Sequence, residues 1–449
     1  MLATAPVSDH LASLAFVPVR QRIDQPQIAD VAAHVRSRLR ASRLKSDLTP
    51  GARIAVAVGS RGIARLEEIV RATLATLQEL GAAPFVVAAM GSHGGATPAG
   101  QRELLASYGI SEERLGVPVR TDMEVVELGR NSWDEPVWWD RNAFGADGVI
   151  CVARIKSHTD FTGPMESGIA KMLVIGLGKR EGAATHHRYG LRGLRDMIPA
   201  SLEVVLAKSR FLLGLAIVEN ARDEPAFIET VDFEELLTTE PRLLEQARRL
   251  AGRLPFDRLD LLVVGELGKN YSGTGMDVHV LGRYLVETQP ETPRPAITRI
   301  VVLDLAAESH GNAVGLGLAD LTTARLLAQR DEQKTLTNYL TSCFLLRAKT
   351  PIALPTDRDA IAMGVQTCWQ PRNELLRAAI IPNTLELQEL WVTPALADPQ
   401  HPGLEILGPP APLPFTPDGW LNQEALFPQS TRGKRNRGQA LGAGPSPRG

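Results

Sequence analysis

The apolar and polar positions near the start of the chain predict strands that alternate with helices. Residues 54–58 form a short apolar run of the strand type, and residues 63–80 then carry apolar side chains at helical spacing. A second apolar run follows at 85–90, and Thr97 and Pro98 suit the cap and the first position of a further helix. This alternation favours a parallel sheet covered by helices.

The same alternation continues through the rest of the chain. Further strands are predicted at 148–155, 211–220, 258–267 and 297–305, and further helices at 195–208, 232–252 and 318–329. The predicted fold class is α/β, with two α/β domains, mostly parallel sheets and an active-site cleft between the domains.

The expected domain boundaries follow from chain length and local composition. A chain of 449 residues is long for one compact core, so two domains are expected. We place an N-terminal domain at 1–255 and a second domain, which closes the cleft, at 256–428. Residues 429–449 are basic and lack an apolar face, and we expect a disordered, solvated tail there.

Composition narrows the class of protein. The net charge of −2 argues against a dedicated nucleic-acid surface, and no window of 18 uninterrupted apolar residues predicts a membrane span. No secretory signal is visible at the start, and three scattered cysteines without a CxxC pair fit a reducing cytoplasm. We therefore expect a cytoplasmic protein that binds neither nucleic acid nor membrane.

Four polar loops directly follow predicted strands. They are GSRG (59–62), GSHGG (91–95), KSHTDFTG (156–163) and GKNYSGTGMD (268–277). Ligand sites in open parallel sheets form at the carboxyl ends of strands, so these loops are expected to meet in one cleft.

Histidines occupy two of these loops. His93 lies among glycines that would expose its ring, and His158 holds the same place after another strand. Two imidazoles at strand ends could serve as an acid/base pair, since imidazole titrates near working pH. A turn or capping role is the alternative for each histidine.

Lys171 and a histidine pair follow His158. Lys171 has mostly apolar neighbours, so its ammonium needs a partner, a shifted pKa or a covalent role, unless it snorkels to the surface. His186 and His187 are adjacent and point in different directions on a helix. One of them could be a metal ligand, or both could lie on the surface.

The segment 268–283 concentrates glycines and polar residues, including Lys269, Asn270 and Asp277. It has neither the GxxxxGK[ST] spacing of a P-loop nor a GxGxxG motif. Its residues suit a backbone anion nest with cations nearby, and we predict that Lys269, Asn270 and Asp277 bind substrate.

These motifs, in this order over roughly residues 50–290, resemble the nickel-pincer lactate racemase family of 2-hydroxy-acid racemases and epimerases. The resemblance implies that His93 in MGSHGGATPAGQRELL and His158 in IKSH are the catalytic histidines. It implies that Lys171 covalently binds the pyridinium-3,5-bisthiocarboxylic acid mononucleotide that carries nickel. The family's nickel-ligating histidine lies sixteen positions after the lysine, which is His187, with His186 as the runner-up.

The chain departs from the family pattern in four places. VGSRGIAR replaces an Asp-x-x-Arg pattern, and Arg61 would take over as the substrate carboxylate clamp. The segment between His158 and Lys171 is about three residues longer, and SGIAK stands for SGGRK. GKNYSGTGMD occupies the region of the family's later Gln/Lys pair.

The resemblance implies a nickel-dependent isomerase that inverts the hydroxyl-bearing carbon of a 2-hydroxy acid or sugar acid by hydride transfer to the cofactor. Cofactor-synthesis enzymes would be its partners for loading. Two alternatives stay open from the residues: a histidine-metal hydrolase or lyase without an organic cofactor, and a non-catalytic homologue that binds cofactor or ligand. The substrate and the oligomeric state are not determined by these patterns.

Overall fold

The computed structural model describes residues 11, 13–59, 62–287, 294–401 and 403–430. Its contacts divide the chain into two compact units. Residues Gln25–Ala251 form one unit, and the described residues up to Asp24 join those from Gly252 onward in the other. The tail expected from 429 onward lies outside the described residues beyond position 430.

The strands of the described chain are β1 (Val17–Gln21), β2 (Arg53–Val58), β3 (Ala83–Ala88), β4 (Val119–Arg120), β5 (Val125–Arg130), β6 (Pro136–Asp140), β7 (Gly148–Arg154), β8 (Phe211–Glu219), β9 (Pro225–Asp232), β10 (Arg258–Leu267), β11 (Ala296–Leu305), β12 (Leu321–Thr323), β13 (Ile352–Leu354), β14 (Ala378–Ile381), β15 (Glu389–Val392) and β16 (Leu404–Ile406).

The helices are α1 (Val31–Ala41), α2 (Leu44–Asp47), α3 (Leu66–Glu79), α4 (Pro98–Ser107), α5 (Glu112–Leu115), α6 (Arg141–Phe144), α7 (Ile169–Lys171), α8 (Lys179–His187), α9 (Gly190–Arg195), α10 (Met197–Lys208), α11 (Leu236–Leu250), α12 (Val278–Leu281), α13 (Ala324–Gln329), α14 (Glu332–Ser342), α15 (Asp357–Thr367) and α16 (Gln423–Leu426). A π-helical turn, Met172–Gly176, continues α7.

A six-stranded sheet forms the centre of the unit Gln25–Ala251. Its order is β4-β3-β2-β7-β8-β9, and all neighbours are parallel except the antiparallel pair β8–β9. Residues of β2 alternate between two apolar clusters, with Ile54, Val56 and Val58 in one and Ala55 and Ala57 in the other. Both faces of β2 are therefore buried, which explains its continuous apolar run.

The predicted elements of this unit are confirmed to within a few residues. Strands β2, β3, β7 and β8 and helices α3, α4, α10 and α11 all occur where the apolar pattern predicts them. Helix α10 contains Pro199, which is tolerated because it lies in the first turn, where no intrahelical N–H bond is lost. The hairpin β5–β6 was not predicted.

An eight-stranded sheet forms the centre of the other unit. Its order is β13-β12-β11-β10-β14-β15-β1-β16, with parallel pairs from β13 to β14 and antiparallel pairs beyond. The sequence boundaries placed β1 in the N-terminal domain, but in the structure β1 pairs with β15 and β16. A strand partner hundreds of residues away leaves no local signal in the sequence.

The helix predicted at 318–329 is wrong in its first half. Residues Leu321–Thr323 form β12, and helix α13 begins only at Ala324. The hydroxyls of Thr322 and Thr323 donate to the carbonyls of Val302 and Leu303 at 2.9 and 2.8 Å, so they bind the neighbouring strand β11. Beyond this correction, mostly parallel sheets covered by helices confirm the α/β class. In the described part of the chain, no helix is long and apolar enough to cross a membrane.

Candidate functional site

The His158 loop follows β7 and closes on itself. Lys156 and Ser167 pair as an antiparallel bridge, with N–H to O distances of 2.9 and 3.2 Å. The ten residues between them therefore form a compact loop at the carboxyl end of β7.

Glu166 is the polar centre of the His158 loop. Its carboxylate is only 2% exposed, and it accepts the backbone N–H groups of His158 at 2.6 Å and of Gly163 at 2.9 Å. Arg248 donates to the same carboxylate at 2.7 Å. Three donors thus satisfy a buried charge that would otherwise be costly.

The structure brings His158 and Lys171 together. Nζ of Lys171 forms a short hydrogen bond with Nε2 of His158. On the other side of the ring, Nδ1 accepts the backbone N–H of Asp160 at 3.1 Å, and the ring stacks on Phe161 with centroids 4.6 Å apart. The imidazole is held from three directions, and its side chain is 11% exposed.

The hydrogen bonds of His158 limit where protons can lie. If Nδ1 accepts from Asp160 N–H, then Nε2 carries the ring proton and Lys171 accepts it as a neutral amine. If Lys171 donates as an ammonium, Nδ1 must carry the proton and face the Asp160 carboxylate, 3.7 Å away. In either arrangement, one proton is held between an amine and an imidazole.

The segment after Lys171 lies across the ends of two strands. A Cβ atom at Gly59, directly after β2, would lie 2.9 Å from Sδ of Met172. Gly91, after β3, donates its N–H to the carbonyl of Gly176 at 3.0 Å and has φ of +56°, which favours glycine. The loops after β2 and β3 therefore pack directly on the helical turn that begins at Lys171.

Glu240 holds the start of the Lys171 helix. It lies on α11, is 1% exposed and accepts the N–H of Ala170 at 3.0 Å. A side chain on Gly168 would collide with the Glu240 carboxyl group. Burial raises the pKa of Glu240 to about 7, and the N–H groups of Ala170 and Ile169 only partly oppose this rise.

The two adjacent histidines have different environments. His186 is 2% exposed; its Nδ1 donates to the Gly182 carbonyl at 2.8 Å, and its Nε2 accepts from the Ser201 hydroxyl at 3.0 Å. Burial lowers the pKa of His186 to about 4, so it is a neutral residue of the interior. Burial, and then the charge of Lys171, lower the pKa of His187. Of this pair, His187 is therefore the one within electrostatic reach of Lys171.

His93 lies at the end of β3 on an ordered loop. Its backbone N–H donates to the Met90 carbonyl at 3.0 Å, and its side chain is exposed. The buried side chain of Gln101 donates to the carbonyls of Gly91 at 2.9 Å and His93 at 3.2 Å. The strands that precede His93 and His158 are separated in the sheet only by β2, so the two loops share one sheet edge.

Lys179 was not predicted to be important, yet it is the fully buried lysine of this segment. Its Nζ lies 2.9 Å from Oδ2 of Asp140, both side chains are 0% exposed, and it also donates to the Ala88 carbonyl at 2.6 Å. Burial raises the pKa of Asp140, and the Lys179 charge opposes that rise. A fully buried lysine without this carboxylate would be costly. The motif WWD at 138–140, which ends in Asp140, was the sequence signal that could have indicated a partner for Lys179.

Of the four residues predicted to bind substrate, the structure describes three. Arg61 falls outside the described residues. Lys269, Asn270 and Asp277 belong to the unit that contains β10, in the loop after that strand.

Two of these three side chains stabilise their own loop. The Lys269 ammonium donates to the Gly273 carbonyl at 2.6 Å and to Asn338 at 2.9 Å. Asp277 caps α12 by accepting the His279 N–H at 2.8 Å. Asn270 is half-buried beside Gly268. Their predicted role in substrate binding stays a prediction.

Among the residues that the structure describes, no three His, Cys, Asp or Glu side chains come together as a metal-binding group. His93, His158 and His187 therefore do not form a three-ligand metal site. The groups that do lie near one another are the Lys171 amine, the His158 imidazole in contact with it, and the His187 imidazole within its electrostatic reach.

Comparisons with known proteins concern the domain family and the fold. Residues 6–195 match the family model described as the lactate racemase N-terminal domain, whereas no curated protein matches the chain. The lactate racemase apoprotein from Thermoanaerobacterium thermosaccharolyticum is a similar solved structure, with a TM-score of 0.50, 12% identity, and coverage of 83% of this chain and 99% of that chain. Residues 6–195 are therefore similar to the lactate racemase N-terminal domain, and the chain has a fold similar to that of lactate racemase.

Proposed function

We propose that the protein is a racemase or epimerase that inverts the hydroxyl-bearing carbon of a 2-hydroxy acid or sugar acid. The contact between the Lys171 amine and the His158 imidazole carries this proposal. It joins two groups that the family resemblance names independently, and it lies on the sheet edge where His93 also emerges. The proposed substrate class and reaction are those of the family that the sequence resembles.

The residues around Lys171 fit a nickel-pincer nucleotide. Lys171 offers a half-buried primary amine for covalent attachment, and His187, whose pKa is lowered by burial, offers a neutral imidazole suited to a metal. Gly59 and Gly91 have no side chains, so their backbone lies close to the segment that follows Lys171. When bound, the cofactor would supply the hydride acceptor and donor for the hydroxyl-bearing carbon.

The residues of the chain would move the proton and hold the acid. His158 and His93 are proposed as the acid/base pair that takes the hydroxyl proton and returns it, one on each face of the carbon. Arg61 is proposed to clamp the carboxylate, because a guanidinium binds it through two parallel hydrogen bonds. Lys269, Asn270 and Asp277 stay proposed substrate contacts, although Lys269 and Asp277 already bind their own loop.

Attachment at Lys171 can be measured directly. The protein is produced together with cofactor-synthesis enzymes, its proposed loading partners in the cytoplasm, and its intact mass is compared with that of the apoprotein. We expect an added mass that maps to Lys171 and that is lost in Lys171→Arg, which keeps the positive charge but has no primary amine. Lys45→Arg, at an exposed lysine, is the matched control. An unmodified Lys171 under these conditions would contradict the cofactor assignment.

Turnover decides between the racemase and a non-catalytic homologue. Single enantiomers of 2-hydroxy acids and aldonic acids are incubated with nickel-loaded protein, and inversion is followed by chiral chromatography. His158→Ala and His93→Ala should each lower kcat about 100-fold or more, as loss of a general acid or base does. Inversion at the wild-type rate in both variants would refute the acid/base assignment.

The hydrolase or lyase alternative would need a metal held by the protein alone. The described residues bring no three ligands together, and that reaction leaves Lys171 without a role. No observation favours this second candidate.

A further inference from the structure

We propose that Glu166 and Arg248 are positioning residues that set the place of His158 and, through it, of Lys171. This inference rests on the proposed function in one respect only, namely that His158 is a catalytic residue. Neither residue belongs to the set identified from the sequence, and neither contacts the Lys171 amine in the described structure.

The carboxylate of Glu166 receives its donors on separate oxygens. Oε2 accepts the His158 N–H at 2.6 Å, while Oε1 accepts the Gly163 N–H at 2.9 Å and Nη2 of Arg248 at 2.7 Å. Only a carboxylate offers acceptors at both ends, because an amide has a single acceptor oxygen. An amide at position 166 could therefore not accept the His158 N–H at one end and the Gly163 N–H at the other.

Arg248 links the same loop to helix α11. Its Nη2 also donates to the Gly163 carbonyl at 3.0 Å, so one nitrogen contacts both the carboxylate and the backbone. Helix α11 is anchored in the core by Leu243, Leu244 and Ala247, which are buried. Arg248 thus fixes a twelve-residue loop, 156–167, to a rigid element.

Glu166 is connected to Lys171 through two successive contacts of His158. The His158 backbone is held by Glu166, and the His158 ring contacts Nζ of Lys171. The loop between Lys156 and Ser167 has few apolar anchors, namely Phe161 and Met165. Without the carboxylate, the His158 N–H would lose its hydrogen bond to Glu166, and the ring would no longer be held over Lys171.

The first experiment measures the apoprotein, so that it does not depend on the proposed reaction. Hydrogen exchange is followed at the amides of residues 156–167, and the titration of the His158 ring is followed by NMR. In Arg248→Met and Glu166→Gln, we expect the His158 and Gly163 amides to exchange about tenfold faster or more, since charge-assisted bonds are lost. The His158 titration should move, whereas that of His186 should not.

The matched control is Arg249→Met, at the neighbouring and exposed arginine of the same helix, whose pair with Glu245 spans 3.4 Å. It should leave both readouts unchanged. Arg248→Lys should restore most of the wild-type behaviour, because a single ammonium can donate to both Glu166 and Gly163.

The second experiment uses holoenzyme and separates positioning from stability. In Arg248→Met, kcat should fall about 10- to 100-fold, as misplacement of a catalytic group causes, while KM changes by less than about threefold. Recovery of kcat in Arg248→Lys would support positioning.

Two outcomes overturn the proposal. The first is unchanged exchange and titration of His158 in both Arg248→Met and Glu166→Gln. The second is a lower midpoint of thermal unfolding with wild-type kcat, which would mean that the pair only stabilises the fold. If wild-type holoenzyme inverts none of the acids tested, the proposed function fails, but the apoprotein measurements still decide whether the pair positions His158.

Discussion

Glu240 should make the stability of this protein depend on pH in a way that one substitution removes. Its carboxyl group is buried at the start of α7, where it accepts the Ala170 N–H at 3.0 Å and its Oε1 has no hydrogen-bond partner in the described structure. Burial raises its pKa from 4.5 to about 7. The folded protein therefore binds the Glu240 proton more tightly than the unfolded chain does.

The magnitude follows from proton linkage. A tenfold change in proton affinity corresponds to about 1.4 kcal/mol, so ionising Glu240 in the folded state costs about 3 kcal/mol relative to the unfolded chain. The stabilisation from the bound proton is fully present below pH 4.5 and is lost as the pH rises through about 7. Above that pH, the wild-type protein carries a buried carboxylate with one unpaired oxygen.

The test compares Glu240→Gln with the wild type by chemical denaturation from pH 5 to pH 8. The amide keeps an oxygen for the Ala170 N–H but cannot ionise. The free energy of unfolding of Glu240→Gln, relative to wild type, should rise by about 2–3 kcal/mol over this range. Glu245→Gln, on the exposed face of the same helix, should follow the wild-type curve. Parallel curves for Glu240→Gln and wild type would refute the reasoning.

Four further predictions concern the neighbouring residues. Lys179→Met should lower the free energy of unfolding by about 3–5 kcal/mol in urea denaturation because it leaves Asp140 buried and unpaired, and adding Asp140→Asn should recover part of the loss. His186→Ala should lower the free energy of unfolding by about 1–3 kcal/mol in the same measurement, because two hydrogen bonds are lost. The nickel content of loaded protein should not change. His187→Ala should instead lower the nickel content of loaded protein, measured by elemental mass spectrometry, while its midpoint of unfolding as apoprotein stays close to wild type. Gly91→Ala should cost about 1–2 kcal/mol in urea, because its φ is positive and its Cβ would lie 3.2 Å from the Ile175 carbonyl oxygen.

Local pattern was sufficient for the elements that carry the loops. The apolar runs of β2, β3 and β7 are continuous because both faces of these strands are buried, and such runs can be read without knowing the partners. Their carboxyl ends lie on one edge of the sheet by the geometry of parallel strands, so the placing of His93 and His158 after them follows from sequence alone.

Tertiary structure decided which partners those loops meet. The pairing of β1 with β15, the hydrogen bond of Arg248 to Glu166 and that of Ala170 to Glu240 all join residues distant in sequence. Residue type alone does not separate the adjacent His186 and His187, and burial against Ser201 is what makes His186 structural. Residue type and spacing determined the strands and their loops, whereas charge pairing and desolvation depend on neighbours that only the folded chain supplies.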